Sequence, residues 1–198
     1  MWNDRYAQPG YLFGTEPAQF LPAHQAYLKS GLRALAVADG EGRNSVYMAT
    51  QGLDVVAMDG SDVAIEKARA LAKSEGVEVD FNLANIEDWD WAGQQYDIVA
   101  GIFIQFAGPE ARVSQFQNLI KALKPGGILM LHGYTRKQLE FGTGGPPFIE
   151  NLYTVEMLRE SFADLDILEL EAYEREIDEG SGHSGMSALV DLIAQKPA

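Results

Sequence analysis

The chain has no cysteine in its 198 residues, which excludes disulfide frameworks and thiolate metal sites. It is also short of positive charge. Lys and Arg total 15 against 29 Asp and Glu, a formal net charge of −14. So acidic a surface repels phosphate backbones and anionic lipid, which argues against nucleic-acid and membrane-surface partners. No apolar run is long: the longest, near residues 98–106, is about half of what a bilayer span requires. No apolar signal-peptide core follows Met1, so the expectation is a soluble, cytoplasmic protein. Histidine is scarce. His24, His132 and His183 are far apart and lack ligand spacing, so no metal is expected. No repeat, low-complexity segment or linker interrupts the chain, and its length fits one domain, 1–198.

What is present is an alternation of two periodicities. Residues 32–38 form a short apolar run that reads as a buried strand. Residues 44–51 read as a helix stopped by Gly52, and residues 54–58 as a second buried strand. Ser61 caps a helix from Asp62 to about residue 74, closed by Gly76. Residues 77–83 read as a third strand and 96–103 as a fourth. Pro109 opens a helix to about residue 123, and residues 128–131 give a fifth strand. Such alternation predicts a parallel sheet covered on both faces. The pattern then changes. A Gly/Pro loop spans residues 142–147, Thr154 caps a helix to about residue 161, and strands are expected over 164–177 and 187–194. The short connection between those strands makes them an antiparallel hairpin. Before the first strand, residues 20–30 read as one helix. Trp89 and Trp91 alternate with Asp88 and Asp90, which suggests a surface strand or edge packing. Asp178-Glu179 reads as solvated hairpin surface, and His183, between glycines, as a ring reaching outward.

Two motifs carry chemistry. Ala38-Asp-Gly-Glu-Gly-Arg-Asn44 joins the first strand to the first helix, and Gly40 and Gly42 allow a ligand close to backbone N–H groups. Asp59 ends the second strand, about twenty residues on, where a carboxylate suits two ribose hydroxyls. Together they point to a nucleoside cofactor. A dinucleotide site wants a third glycine where this chain has Ser45, and its pyrophosphate would meet Asp39 and Glu41. S-adenosyl-L-methionine carries no phosphate and bears two cationic groups. The charge reading therefore favours the methyl donor over NAD(P).

The chain resembles a class I S-adenosylmethionine-dependent methyltransferase, and within that class the tellurite-resistance-like and thiopurine-methyltransferase-like enzymes. The matching segments are Trp2-Asn-Asp-Arg-Tyr6, Tyr11-Leu-Phe-Gly-Thr-Glu-Pro17, Gly40-Glu-Gly-Arg-Asn44, Tyr96-Asp-Ile-Val99, Leu123-Lys-Pro-Gly-Gly127, Gly133-Tyr134 and Phe141-Gly-Thr-Gly-Gly-Pro146. The resemblance implies a Rossmann-like, doubly wound, seven-stranded α/β sheet, mostly parallel, with a C-terminal antiparallel hairpin. It implies that Gly40 and Gly42 line the methionine moiety, with Ala38 and Asn44 also binding the cofactor, that Asp59 takes the ribose, flanked by Gly60 and Ser61, and that Asn85 and Ile86 meet the adenine. Phe103 would lie near the reacting methyl, and Trp2, Arg5 and Tyr11 in an arm, residues 1–30, that covers the cofactor. The chain departs from the pattern at Ala36, Ala38, Asn85 and Gln105, where relatives usually carry an acid, Gly, an acid and His.

Methyl transfer from a sulfonium is an in-line displacement, so alignment and water exclusion matter more than a catalytic triad. The acceptor implied is a small molecule such as a thiol or a chalcogen oxyanion like tellurite. Gln105, Tyr134 and His183 are the candidate catalytic groups. An NAD(P)-dependent oxidoreductase and a non-catalytic S-adenosylmethionine binder are the alternatives. Oligomeric state is not legible.

Overall fold

The computed structural model describes residues 2–198. The helices are α1 (Trp2–Tyr6), α2 (Phe20–Ala23), α3 (Arg43–Thr50), α4 (Asp62–Glu75), α5 (Pro109–Ala122), α6 (Gln138–Phe141) and α7 (Val155–Ser161). The strands are β1 (Arg33–Val37), β2 (Asp54–Asp59), β3 (Asp80–Leu83), β4 (Tyr96–Ile102), β5 (Leu123–Tyr134), β6 (Asp166–Asp178) and β7 (Ser184–Gln195). They form a seven-stranded sheet in the order β3-β2-β1-β4-β5-β7-β6. The chain divides into two compact units. One runs to Trp89 and adds Glu179–Gly182; the other comprises Asp90–Asp178 and His183–Ala198.

In the first unit β1 pairs with β2, and β2 with β3, all parallel. Ala34 to Val37 and Val55 to Met58 are buried without a break, as strands covered on both faces require. Leu35 and Val37 each contribute roughly 1.5–3 kcal/mol through that burial. The glycine at each turn is there for a reason. Gly76 ends α4 at φ +68, as a left-handed helix stop. Gly42 sits at φ +91, and a Cβ on it would come within 2.7 Å of the Ala68 methyl on α4. The Gly42 turn can therefore press against α4 only without a side chain. Ser61 caps α4 by accepting from the Ala64 N–H at 3.1 Å.

In the second unit β4 and β5 are parallel, while β7 runs antiparallel to both β5 and β6. Central β7 is buried from Ser187 to Ala194. β6 instead exposes Glu171, Glu174 and Glu176 on the sheet edge, where charge discourages further strand pairing.

Three local expectations fail. Residues 20–30 are not one helix. The chain leaves helical geometry at His24, whose ring Nδ1 sits 2.8 Å from the Phe20 carbonyl; a separate 3-10 turn covers Gln25–Tyr27. Strand pairing at the third strand begins only at Asp80, and the fifth strand extends from Leu123 to Tyr134. Trp89 and Trp91 are not on a strand. Asp90 between them accepts from the N–H groups of Ala92 and Gly93 and makes a turn, leaving Trp91 buried.

Candidate functional site

In the first unit, the ends of β1, β2 and β3 bring the glycine loop, Asp59 and Asn85 together. The Asp59 carboxylate bridges the first two elements. Gly40 N–H donates to its Oδ2 at 2.8 Å, and Ser61 N–H to its Oδ1 at 2.9 Å. Burial raises the Asp59 pKa, opposed by those two backbone hydrogen bonds. Each oxygen keeps lone-pair capacity for a hydroxyl donor. Gly60 lies against Asn85: a Cβ there would meet Asn85 Oδ1 at 2.6 Å. Asn85 Nδ2 donates to Asp88 at 3.3 Å. Asn85 is exposed and Ile86 half-buried. Ala38 adopts φ +47, a left-handed conformation that disfavours any Cβ.

The two loop acids are not the free charges that the pyrophosphate argument assumed. Ser45 donates to Asp39 from both its hydroxyl, at 2.5 Å, and its N–H, at 3.2 Å. Burial nevertheless pushes the Asp39 carboxyl up to about 7, with Ser45 opposing and Asp59 reinforcing. Glu41 is buried and paired with Lys67 at 2.9 Å. The loop is therefore less anionic than its sequence. The fully buried Ser45 hydroxyl also fills the place of a third glycine, contacting the Gly42 carbonyl at 3.2 Å.

The arm is fastened over this loop. Tyr6 is buried, and its hydroxyl lies 2.9 Å from where a Gly40 Cβ would be. Burial, then the charges of Asp59 and Glu41, raises its pKa. Trp2, 40% exposed, stacks on Tyr6 at 5.4 Å, with Arg5 4.6 Å over the Trp2 ring. Asn3 bonds Asp62 at 2.8 Å and accepts from the Ser61 hydroxyl at 2.5 Å. Tyr11 hydroxyl donates to the Lys67 carbonyl at 3.1 Å, and Leu12 N–H to Glu41 at 2.7 Å. Asn44 holds the middle of the arm, accepting from Ala18 N–H at 3.0 Å. Tyr6, Asn3 and Lys67 were missed in the sequence. Tyr6 and Asn3 stand inside the same Trp-Asn-Asp-Arg-Tyr segment, but a short helix gives no period by which to pick their inward faces.

In the second unit, aromatic side chains gather at the end of β4. Phe103 adopts φ +57; strain of this kind in a bulky residue recurs at functional sites. Its ring meets His183 at 4.2 Å, His132 at 4.8 Å and Tyr134 at 4.8 Å. His183 is thus buried, 7% exposed, and does not reach outward. Gln105 is a clamp: it donates to the Tyr134 carbonyl at 2.8 Å and accepts the Tyr134 N–H at 2.6 Å. Both ends of the Gln105 amide are engaged by the β5 backbone. His132 Nδ1 lies 2.6 Å from Asp191, which also accepts from Tyr173 at 3.1 Å. No local sequence signal marks this buried pair, because strand register alone sets His132 opposite Asp191.

Residues 34–127 match a protein family described as a methyltransferase domain. The ubiquinone biosynthesis O-methyltransferase of Cereibacter sphaeroides is 33% identical over 113 residues, which is 56% of this chain and 44% of that protein. The chain thus spans less than half the length of that curated relative. A solved structure described as concerning conversion of a disulfide bond into a thioacetal group during echinomycin biosynthesis superposes with a TM-score of 0.78 at 17% identity. It covers 96% of this chain and 85% of that one. Magnesium protoporphyrin IX methyltransferase from Synechocystis PCC 6803, solved with bound S-adenosylmethionine, gives a TM-score of 0.66 at 15% identity, covering 90% and 75%. The fold is the Rossmann-like α/β methyltransferase fold, with a mostly parallel seven-stranded sheet and a C-terminal antiparallel hairpin.

Proposed function

We propose that this chain is an S-adenosyl-L-methionine-dependent methyltransferase acting on a small-molecule acceptor. One observation carries the reading. The glycine loop and Asp59 are hydrogen-bonded together at the ends of β1 and β2, inside the segment that matches a methyltransferase domain. The loop fits such a donor. The group that a Gly40 Cβ would strike is the Tyr6 hydroxyl, which belongs to the arm, so the loop is approachable when the arm lifts. Asp59 accepts the ribose hydroxyls, flanked by Gly60 and Ser61. Asn85 and Ile86 meet the adenine, and Ala38, Gly40, Gly42 and Asn44 line the methionine part. Trp2, Arg5 and Tyr11 cover it from the arm, residues 1–30. The donor supplies an activated methyl group; the chain aligns it and excludes water.

Phe103, with Tyr134 and His183, faces the acceptor in this reading, and His183 is the candidate there to take a proton. The acceptor is a thiol or a chalcogen oxyanion such as tellurite, as in the tellurite-resistance-like and thiopurine-methyltransferase-like subgroup. Residues 1–198 act as a single methyltransferase domain in the cytoplasm. The acidic composition supports a partner that is neither nucleic acid nor membrane, and no helix among the described residues is long and apolar enough to cross a bilayer.

Thermal unfolding with each candidate ligand tests this. At a hundred times its dissociation constant, S-adenosylmethionine should stabilise the fold by about 2.7 kcal/mol. Stabilisation by NAD, with none by the methyl donor or its demethylated product, would replace the reading with an oxidoreductase. Mass spectrometry after incubation with isotopically labelled donor and a panel of thiols, tellurite and phenols then identifies the acceptor.

A further inference from the structure

The tip of the C-terminal hairpin, Glu179–Gly182, belongs to the first unit although both its strands belong to the second. Its attachment is a buried ion pair. Arg43 Nη2 meets Glu179 Oε2 at 2.9 Å, and both side chains are more than nine-tenths buried. Glu179 was expected on solvated surface, since two adjacent acids in a tight connection look exposed. Arg43 is the first residue of α3, the positive end of the helix dipole, where a cation is unfavourable. Its other amine, Nη1, is buried without a hydrogen-bond partner among the described residues. A guanidinium so placed needs its carboxylate.

The second oxygen of Glu179 accepts the Gln19 N–H at 3.1 Å. Beyond Glu179, the tip lies on the arm. Gly182 N–H donates to the Leu12 carbonyl at 3.1 Å, and the Ser181 hydroxyl donates to the same carbonyl at 3.3 Å. Gly180, at φ +77, approaches so closely that a Cβ would come within 2.5 Å of Gly14 N and 2.7 Å of Leu12 O. A Cβ on Gly182 would strike the Phe13 ring. The arm segment held here is the one whose Leu12 N–H reaches Glu41 in the glycine loop.

We propose that Glu179 is a positioning residue: bonded to Arg43 and to Gln19, it seats the hairpin tip on the N-terminal arm and so holds the arm over the Gly40 loop. The latch therefore bears on the covering of the donor loop. This last consequence rests on the methyltransferase reading; the latch itself does not.

Hydrogen exchange on the free protein tests the latch. Glu179→Gln keeps an acceptor for Gln19 and removes the charge from Arg43. It should speed exchange at the Leu12 and Gly182 amides at least tenfold while the β1 amides of Ala34 to Val37 keep wild-type rates. Gly180→Ala, which pushes the tip off the arm and leaves the ion pair, should do the same and serves if the first variant does not fold. Arm exchange at the wild-type rate in both variants would overturn the proposal, as would equal acceleration in β1, which marks general destabilisation. With S-adenosylhomocysteine as probe, Glu179→Gln should also release the ligand at least tenfold faster. Wild-type protein that binds no S-adenosylhomocysteine would refute the methyltransferase reading alone, and the latch would still stand or fall on arm exchange.

Discussion

In the first unit, buried acids take backbone N–H groups in addition to their side-chain partners, Lys67 for Glu41 and Arg43 for Glu179. Asp59 takes the N–H groups of Gly40 and Ser61, Glu41 that of Leu12 and Glu179 that of Gln19. In the second unit, the polar groups near Phe103 face other side chains and sit on strands: His132 on β5 and Asp191 on β7, with Tyr173 on β6. Backbone-held acids organise loops at strand ends, where a ligand can compete for the same N–H groups. A side-chain pair locked between strands stiffens a wall instead. In the proposed reading, the first unit holds the methyl donor and the second presents a fixed aromatic surface.

Removing the wall should have the largest effect. Asp191→Leu takes the carboxylate from buried His132 and half-buried Tyr173 and should cost roughly 3–5 kcal/mol, the range for breaking a buried pair. Urea unfolding followed by tryptophan fluorescence measures it. A loss below about 1 kcal/mol would mean that the pair does not brace the second unit.

How each unit could be read in advance follows the same division. The glycine loop and Asp59 are marked by local chemistry: glycines where φ is positive, and a carboxylate at a strand end. The parallel sheet and closing hairpin were also legible, because apolar runs alternate with capped helices. The His132–Asp191 pair was not, since it depends on a register between residues 59 apart. Glu179 and His183 were misread for a related reason. A Gly-rich connection looks solvated unless one knows that it folds back onto residues 12–14 and Arg43. The Asp39 and Glu41 charges misled because sequence shows formal charge and not the Ser45 and Lys67 that meet it.

A smaller effect separates the units by pH. Asp39, raised from 3.8 to about 7, is more protonated in the fold than in the unfolded chain. Its contribution is fully present below about pH 4 and is lost as pH rises through about 7, a swing of at most about 4 kcal/mol. Asp39→Asn should flatten that slope, so stability of the variant relative to wild type should increase between pH 4 and 8. A constant difference across that range, measured by denaturant titration at each pH, would show that Asp39 does not titrate there.

Smallest is the glycine loop's own strain. Ala38 at φ +47 carries a left-handed penalty of about 1–2 kcal/mol, against which glycine loses about 0.5–1 kcal/mol of chain entropy. Ala38→Gly should stabilise the protein by about 0.5–1 kcal/mol net, raising Tm by about 1–4 °C. An unchanged or lower Tm would mean that the Ala38 methyl packs favourably enough to offset its backbone.

The division of labour between the units is tested most directly by titration calorimetry with S-adenosylhomocysteine on wild type, Asp59→Ala and His183→Ala. The account predicts a single site per chain, weakened roughly ten- to a hundredfold in Asp59→Ala, or about 1.5–3 kcal/mol, and unchanged in His183→Ala. Equal affinity in wild type and Asp59→Ala would contradict it, because Asp59 would then be only the acceptor that ties Gly40 to Ser61.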